Sequence, residues 1–308
     1  MVAAALFAAT GLTPVTAESP NAERIEDLYW FIAFWAAIVL LAVAVPLVLF
    51  VYRYRSRGRD RTIEGPQIHG STRLEIAWTL VPVAILLIVT AFTFYKLPGI
   101  TLEDEAKAGD LRVRVEGRQF YWQYHYPNGV IAIDRLVAPQ DRLVVLEITA
   151  PESDVNHSYW VPGVGGKFDA IPGETVETAF RGRRAGVFPG QCAEFCGVQH
   201  AKMLAEIEVL PADEFDAWLE EQAREQQAGS SDLGEQIFAG ACAKCHGPKG
   251  EGLIGPPFTA ASTSDAEAVA RVVREGRRKM PAIGEGWDDR QMKALTDYLA
   301  ERYGEGES

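Results

Sequence analysis

The sequence predicts a chain of three parts: a hairpin of two membrane-spanning helices, an all-β domain and a small all-α domain. Three observations support this fold class. Two long stretches near the N-terminus carry no charged residue, and short runs with the two-residue period of β-strands begin at Leu111. A charged segment then leads to a Cys-x-x-Cys-His motif at residues 242–246. A chain of 308 residues is long enough for two domains.

The two uncharged stretches are residues 28–52 and residues 76–95. About 20 apolar residues, each rising ~1.5 Å, cross the hydrocarbon core of a bilayer. A buried helical hairpin of a soluble protein is the alternative, but the loop over residues 53–61 is rich in arginine. The positive-inside rule places that loop in the cytoplasm. We therefore predict a transmembrane hairpin over residues 25–96 in a bacterial inner (plasma) membrane, with both termini and all later residues on the periplasmic side.

The first residues predict a signal peptide. Residues 1–17 are small and apolar and end in Val15-Thr16-Ala17, which suits a small-residue cleavage site. The stretch has no basic start, and Gly11 and Pro14 interrupt its apolar run, so a disordered N-terminal tail is the alternative.

Short β-type runs fill residues 110–210. Residues 111–115 alternate with period two, and residues 143–148 form an apolar run typical of a buried strand. Residues 175–180 and 205–210 have similar patterns, and Gly and Pro separate the runs. This punctuation is typical of an all-β sandwich or barrel.

A sulfur-rich motif lies between the last two of these runs. Cys192, Cys196, His200 and Met203 have the spacing Cys-x3-Cys-x3-His-x2-Met. Thiolate, thioether and imidazole groups together suit copper. Two cysteines exceed the needs of a single blue-copper ion, whereas two thiolates can bridge two copper ions, and His157 is the candidate second imidazole. A Cys192–Cys196 disulfide and a structural zinc site are the alternatives, although Met is not a usual zinc ligand.

This motif and the run KFDAIPG at residues 167–173 resemble subunit II of the haem-copper cytochrome c oxidases, over about residues 25–210. The resemblance implies a cupredoxin-like Greek-key sandwich with a binuclear copper A centre. It implies as copper ligands His157, Cys192, the backbone carbonyl of Glu194, Cys196, His200 and Met203. It also implies that the Glu194 side chain reaches a magnesium or manganese ion at the interface with subunit I.

Two further positions take a role from the resemblance. The family's aromatic electron path commonly reads Gln-Trp-Tyr-Trp, and here Gln119-Phe120-Tyr121-Trp122 stands in its place. Phe120 and Trp122 are the predicted path residues, but Phe120 replaces the usual entry residue for soluble cytochrome c, which puts the usual docking surface in doubt. Packing in the core of a sandwich strand is the alternative.

Glu75 precedes Trp78-Thr79 at the start of the second span. The resemblance implies that it lies at the mouth of a proton channel into subunit I. The alternative is an interfacial carboxylate with no such role.

The C-terminal third predicts a helix, a linker and a cytochrome. Residues 211–231 are charged and end in Gly229-Ser230-Ser231, which is typical of a flexible linker. The motif at Cys242, Cys245 and His246 is the attachment sequence of c-type haem. A thioredoxin-like redox pair is the alternative and would need a βαβ context.

Residues 232–305 resemble a class I cytochrome c, which implies Met280 as the sixth iron ligand. Met292 is predicted to pack in the last helix. A cluster of cations precedes Met280 and forms either a solvated helix face or a basic rim that guides an acidic donor or the copper domain: Arg271, Arg274, Arg277, Arg278 and Lys279.

Together these features predict the electron-transfer subunit II of a proton-pumping terminal cytochrome c oxidase, an enzyme whose oxygen-reducing site lies in another chain. The net charge of −12 argues against a nucleic-acid partner. Of five histidines, His69 and His125 are not assigned as ligands, and both lie outside the spans, so this chain cannot build an oxygen site in the bilayer. No residue is predicted to be catalytic. The expected partners are subunit I, subunit III, a cytochrome c or another periplasmic donor, and the lipid bilayer.

Three other functions are alternatives. A quinol oxidase subunit II shares the fold but lacks the copper ligands. A nitric oxide reductase with a copper A subunit differs only in its large subunit. A copper-handling assembly protein would release copper readily and would not need Glu75 or the full ligand set.

Overall fold

The computed structural model describes residues 13–55, 58, 65, 67–101, 106–229 and 231–304. The first twelve residues of the predicted signal peptide, and so most of that prediction, lie outside these ranges. The chain forms two compact units, one of residues Arg24–Gly99 and one made of Met1–Glu23 with Ile100–Ser308.

The smaller unit is a helical hairpin. Its helices belong to α1 (Pro20–Arg53) and α2 (Thr72–Lys96), and the short α3 (Pro98–Thr101) follows. The two long helices contact each other through stacked Phe31 and Phe92 rings, 4.0 Å between centroids, and through Lys96 Nζ, 2.6 Å from Asp27 Oδ2. Their apolar windows are long enough to cross a membrane and are not buried within the protein. Since that much exposed apolar surface is unfavourable in water, the hairpin is suited to lipid.

The β-strands form two five-stranded sheets in the order β3-β2-β1-β5-β8 and β4-β10-β9-β6-β7. The strands are β1 (Leu111–Arg118), β2 (Tyr121–His125), β3 (Ile131–Ile133), β4 (Arg135–Pro139), β5 (Val144–Thr149), β6 (His157–Trp160), β7 (Lys167–Ala170), β8 (Val176–Phe180), β9 (Gly186–Cys192) and β10 (Leu204–Leu210). Strand β1 pairs antiparallel with β2 and parallel with β5, and β10 pairs antiparallel with β9 and parallel with β4. The predicted all-β cupredoxin-like sandwich is confirmed.

The four predicted strand runs match β1, β5, β8 and β10 within about three residues. The most consequential of the strands that were not predicted is β9. Strand β9 (Gly186–Cys192) lies between the runs predicted at residues 175–180 and 205–210. The sulfur-rich loop therefore joins β9 to β10, and Cys192 is itself the last residue of β9. The sequence pattern of β9 hides it, because Gly186, Pro189 and Gly190 break the apolar alternation that marks a strand.

Strand β2 separates two apolar cores. Trp122 and Tyr124 point into the core between the sheets and are fully buried, together with Met203. Tyr121 lies in the second core, formed mainly by the C-terminal helices, where Ile131 and Ile133 of β3 join it. The alternation of side chains along a strand places these two sets on opposite faces.

The C-terminal helices follow the sandwich with little intervening chain. They are α4 (Ala212–Ala228), α5 (Ser231–Ile237), α6 (Ala243–His246), α7 (Ala260–Thr263), α8 (Ala266–Glu275) and α9 (Asp289–Tyr303), with a π-helical turn at Phe238–Cys242. Gly229 ends α4 in the left-handed conformation, φ 78°, and α5 begins at Ser231. Most of the segment predicted as helix and linker is thus helix. Met292 is buried in α9, as predicted.

The residues that follow the predicted cleavage site pack on the sandwich. The Asn21 side-chain amide donates to the carbonyl oxygens of Ile100 and Ala179, each at 2.7 Å. The Glu18 carboxylate pairs with the Arg184 guanidinium, and the Glu18 backbone N–H donates to the Gly163 carbonyl at 2.8 Å. This segment is part of the larger unit.

A buried carboxylate lies on β1 near the second core. Glu116 is 4% exposed, and its oxygens lie 2.8 Å from Arg118 Nη2 and 2.7 Å from Arg114 Nη2. Burial alone would raise the pKa of Glu116, but the hydrogen bond to His125 and the charge of Arg118 outweigh it and lower the pKa to about 2. The folded chain therefore favours the ionised carboxylate.

We predict that Glu116→Gln lowers the free energy of unfolding at pH 7 by about 3 kcal/mol, from a pKa shift between 4.5 and about 2. The lowered pKa means that this stabilisation is complete above pH 4.5 and is lost as the pH falls toward 2. Hydrogen exchange of the β1 amides as a function of pH measures it. Glu177→Gln, at an exposed carboxylate, is the control and should change stability by no more than about 0.5 kcal/mol. Equal loss in both variants at every pH would contradict the prediction.

Candidate functional site

The sulfur-rich loop brings its predicted ligands together with His157. Cys192 ends β9, His200 begins a 3₁₀ turn over His200–Lys202, and Met203 precedes β10. His157 is the first residue of β6, which pairs with β9. Ladder pairing across β6, β9 and β10 thus positions groups that lie up to 46 residues apart in sequence.

The donor atoms converge on one point. The Cys192 and Cys196 sulfurs are 3.9 Å apart, and the Glu194 carbonyl oxygen is 3.2 Å from Cys192 Sγ. His157 Nδ1 lies 3.9 Å from Cys192 Sγ. His200 Nδ1 lies 3.6 Å from Cys196 Sγ, and Met203 Sδ lies 3.7 Å from the same sulfur. The other four predicted ligand groups therefore surround the two sulfurs.

The site is enclosed and its cysteines are free. His157 and Met203 are fully buried, and Cys192 and Cys196 are buried too. A sulfur separation of 3.9 Å is far from the ~2.05 Å of a disulfide. The Cys196 thiol, His157 and the backbone hydrogen-bond the Cys192 sulfur and hold the pKa of Cys192 below its usual range, against the effect of burial. Two sulfurs with imidazole and thioether donors fit copper better than zinc.

Asp154 orients His157, and the sequence reasoning did not identify it. Asp154 Oδ1 accepts from His157 Nε2 at 3.2 Å, and Oδ2 accepts from the Gln119 backbone N–H at 3.1 Å. Burial would lower the pKa of His157, but this hydrogen bond and the contact with Cys192 raise it. With Nε2 engaged by Asp154, Nδ1 is left to face Cys192. An Asp three residues before a candidate metal histidine was the available signal.

The aromatic residues predicted as an electron path lie beneath the loop. The Trp122 ring is 6.0 Å from the His157 ring and 4.9 Å from the Tyr159 ring. Phe120 is only 7% exposed and packs so closely on Gly197 that a Cβ there would lie 3.0 Å from its ring. Phe120 is thus a covered residue, unlike the surface entry residue that the family position implies.

The Cys-x-x-Cys-His motif lies in a separate apolar cluster. The His246 Nδ1 donates to the Pro256 carbonyl at 2.7 Å, which leaves Nε2 available as a ligand, and its ring stacks on Phe258 at 4.6 Å. Met280 packs half-buried against the same cluster. The Tyr303 hydroxyl is buried without a hydrogen-bond partner among the described residues. These features fit a large apolar group with polar substituents, such as haem.

Three further predictions concern Glu75, His125 and the cations ahead of Met280. Glu75 is an exposed residue in the first turn of α2, in the helical hairpin unit. His125 is half-buried and lies 3.5 Å from Glu116, which agrees with a structural role. The five cations ahead of Met280 are all exposed.

The fold and the donor set define a class: a membrane-anchored electron-transfer protein with a sulfur-rich copper loop and a cytochrome region. The models for the transmembrane domain and the periplasmic domain of "Cytochrome C oxidase subunit II" match residues 8–96 and 130–210. The model for "Cytochrome C oxidase, cbb3-type, subunit III" matches residues 230–299. The chain belongs to the cytochrome c oxidase subunit 2 family, and it is subunit II of a haem-copper terminal oxidase.

Named relatives support the same family. The cytochrome c oxidase subunit 2 of Alkalihalophilus pseudofirmus is 35% identical over 257 residues, which cover 80% of this chain and 74% of the relative. That of Cereibacter sphaeroides is 31% identical and covers 70% of this chain and 80% of its own. The subunit 2 of Bacillus sp. PS3 is 35% identical, and the match spans 58% of this chain and 54% of that relative.

One solved structure is similar to part of the chain. The periplasmic domain of cytochrome oxidase subunit II of Bradyrhizobium japonicum is 32% identical, with a TM-score of 0.37, and covers 39% of this chain and 97% of its own.

We predict that Asp154→Asn weakens copper binding by about 10- to 100-fold, because the amide cannot hold the His157 ring as the carboxylate does. Competition against a chelator of known affinity measures the change in the oxidase complex. Asp169→Asn, at an exposed position on β7, is the matched control. An unchanged affinity in Asp154→Asn would show that His157 is oriented by other contacts.

We predict that Phe120→Trp destabilises the sandwich by about 1–3 kcal/mol, because the larger ring must displace the backbone at Gly197. Turnover with soluble cytochrome c should not rise, since position 120 is covered. Thermal unfolding and steady-state oxidase assays check the two parts. A gain in turnover at unchanged stability would mean that position 120 is open to a soluble donor.

Proposed function

We propose that this subunit holds a binuclear copper centre and a covalently attached haem c, and that it passes electrons from a cytochrome donor through both to subunit I. The observation that carries the proposal is the convergence of Cys192, Cys196, His200, Met203 and His157 around one pair of sulfurs. When bound, the copper and the haem would each supply a one-electron redox centre.

The chain's own residues would serve these centres by holding their ligands still. The Cys192 backbone N–H donates to the Met203 carbonyl at 2.9 Å, and the Ala193 N–H donates to the Ser158 carbonyl at 2.8 Å. The ligand loop is therefore tied at its start to β10 and β6. A loop tied to two strands reorganises little, which favours electron transfer.

The haem ligands proposed are Cys242 and Cys245 for the covalent bonds, and His246 and Met280 for the iron. Pro256 fixes the His246 ring through its carbonyl, and the buried Tyr303 hydroxyl is suited to hydrogen-bond a polar haem substituent. Burial raises the pKa of the Cys242 thiol to about 12.

The loop also carries the proposed contact with subunit I. Glu194 is exposed beside Phe195, which is 77% exposed, and Val198, which is 82% exposed. Large exposed apolar side chains at a loop tip suit burial in a partner. We propose that the Glu194 side chain shares a magnesium or manganese ion with subunit I, and that Glu75 marks the proton-channel entrance on the same partner. Subunit III is a further proposed partner.

The proposed location is the bacterial inner membrane, with the copper and haem regions and both termini on the periplasmic side. The arginine-rich loop between the two helices supports this orientation. The named relatives are cytochrome c oxidase subunits, so a nitric oxide reductase subunit and a copper-handling protein are not favoured.

We predict that the purified oxidase complex shows a mixed-valence two-copper EPR signal in subunit II and the optical spectrum of a low-spin c-type haem. Cys196→Ser should abolish the two-copper signal, because one bridging thiolate is lost. Met280→Leu should convert the haem to a five-coordinate high-spin form, whereas Met292→Leu, in the core of α9, should leave it low-spin. A mononuclear copper spectrum or readily exchangeable copper in the unmodified complex would refute the proposal and favour copper handling.

A further inference from the structure

The haem-attachment motif lies directly against the copper loop. Burial raises the pKa of the Cys245 thiol, and Gln199 and Lys202 of the sulfur-rich loop lie near enough to Cys245 to oppose that rise. Gln199 is 3% exposed and precedes the proposed ligand His200. The segment that would carry the haem therefore touches the residue next to a proposed copper ligand.

Lys244 forms a bridge between the two segments. It lies between the motif cysteines, and its ammonium donates to the Phe120 carbonyl at 2.9 Å and to Asp134 Oδ2 at 2.6 Å. Asp134 Oδ1 accepts in turn from the Trp122 backbone N–H at 2.9 Å. The Lys244 side chain is only 14% exposed, so this ion pair is shielded from solvent.

The bridge continues to the ligand loop. The Phe120 ring packs on Gly197, and the neighbouring Gln119 amide donates to the Cys196 carbonyl at 2.7 Å. Lys244 is thus linked to the loop by two contacts that pass through residues 119 and 120. A shift of Lys244 would be transmitted to the backbone of a proposed copper ligand.

A second row of contacts follows the outer face of β1 and β2. The Tyr121 hydroxyl donates to the Ile283 carbonyl at 3.2 Å and accepts from the Trp287 indole N–H at 3.0 Å. Gln123 Oε1 accepts from the Gln291 amide at 3.0 Å, and Arg118 donates to the Glu285 carbonyl at 2.7 Å. All except the Arg118 contact are fully buried, and that one is partly buried.

These contacts argue against a swinging cytochrome. If the helices moved away, Tyr121, Ile131 and Ile133 would lose their apolar cover, and each buried hydrogen bond would be exchanged for one with water at a net cost of about 0.5–1.5 kcal/mol. The chain between α4 and α5 is also short, because only Gly229 and Ser230 separate the two helices. Two residues reach at most about 7 Å.

We propose that the haem-binding helices are fixed on the sandwich as one body, and that Lys244 is a positioning residue that holds Cys245 against Gln199 beside the copper loop. The inference rests on the proposed function, since it assigns the geometry of that same electron path. It also gives the covered position of Phe120 a cause, because the site at which a soluble cytochrome would dock is filled by this chain's own Lys244 segment.

The test uses the whole oxidase complex carrying Lys244→Met, which keeps the length of the side chain and removes its charge and donors. We expect the exchange protection of the β2 and β3 amides to fall about tenfold. We expect intramolecular haem-to-copper transfer after flash reduction to slow by about 10- to 100-fold, as for other small misplacements of reacting groups. The haem and copper spectra should not change, because Lys244 is a ligand of neither.

Matched variants separate positioning from general damage. Asp134→Asn keeps the acceptor for the Trp122 N–H and removes the ion pair, but it leaves the Lys244 bond to the Phe120 carbonyl, so it should have the same effects as Lys244→Met to a smaller degree. The double variant should be no worse than Lys244→Met alone, because Lys244→Met already removes the ion pair. Lys249 is an exposed cation four residues after Cys245. The variant Lys249→Met should therefore equal the unmodified complex in exchange protection and in the rate of haem-to-copper transfer.

The outcomes distinguish this inference from the proposed function. Absence of the copper or haem spectrum in the unmodified complex would refute the proposed function itself. If Lys244→Met has normal spectra, and if its hydrogen-exchange rates and its haem-to-copper transfer rate equal those of the unmodified complex, only the positioning role and the fixed docking are refuted. If Lys244→Met does not assemble, Asp134→Asn decides the question in the same way.

Discussion

The alternation of side chains along strand β2 is the constraint on which the rest of this structure depends. In a strand, successive side chains point to opposite faces. Trp122 and Tyr124 therefore fill the sandwich core beneath the metal loop, while Tyr121 and Gln123 bond to the C-terminal helices. One five-residue strand thus supports both proposed redox regions. A register slip of one residue would exchange the two faces, so both regions would be lost together.

The metal loop depends on long-range pairing as well as on its own spacing. Cys192 is held by the β9–β10 ladder, and His157 reaches it only because β6 pairs with β9. The loop motif alone brings two sulfurs, one imidazole and one thioether near each other, but the second imidazole is delivered by the sheet. Asp154 completes the arrangement by holding the far nitrogen of His157. The donor set is therefore assembled by the sandwich fold, and the loop motif is the part of it that can be recognised in the sequence.

Sequence patterns predicted the features that have local signals. The hairpin follows from two uncharged stretches, and the four donors of the loop follow from the spacing of Cys192, Cys196, His200 and Met203. Strand β9 was missed because its glycines and proline break the alternation. The Lys244–Asp134 pair could not be predicted, since its members are 110 residues apart and each alone resembles an ordinary surface charge. The Gly-Ser boundary after residue 228 is typical of a flexible linker, whereas the buried contacts of Tyr121 and Gln123 with the C-terminal region favour fixed docking.

The fixed placement of the helices offers a reason why this chain departs from its family at residue 120. A tethered domain on a flexible linker docks at an effective concentration on the order of mM and gains speed from proximity alone. A domain held by buried hydrogen bonds also keeps a fixed orientation toward its electron acceptor, so it does not have to find the docked position before each transfer. An exposed aromatic at position 120 would then have no soluble partner to meet. Close packing against Gly197 becomes the property that matters there, and the Phe120 ring supplies it. The substitution is therefore an expected consequence of joining the donor to the acceptor in one chain.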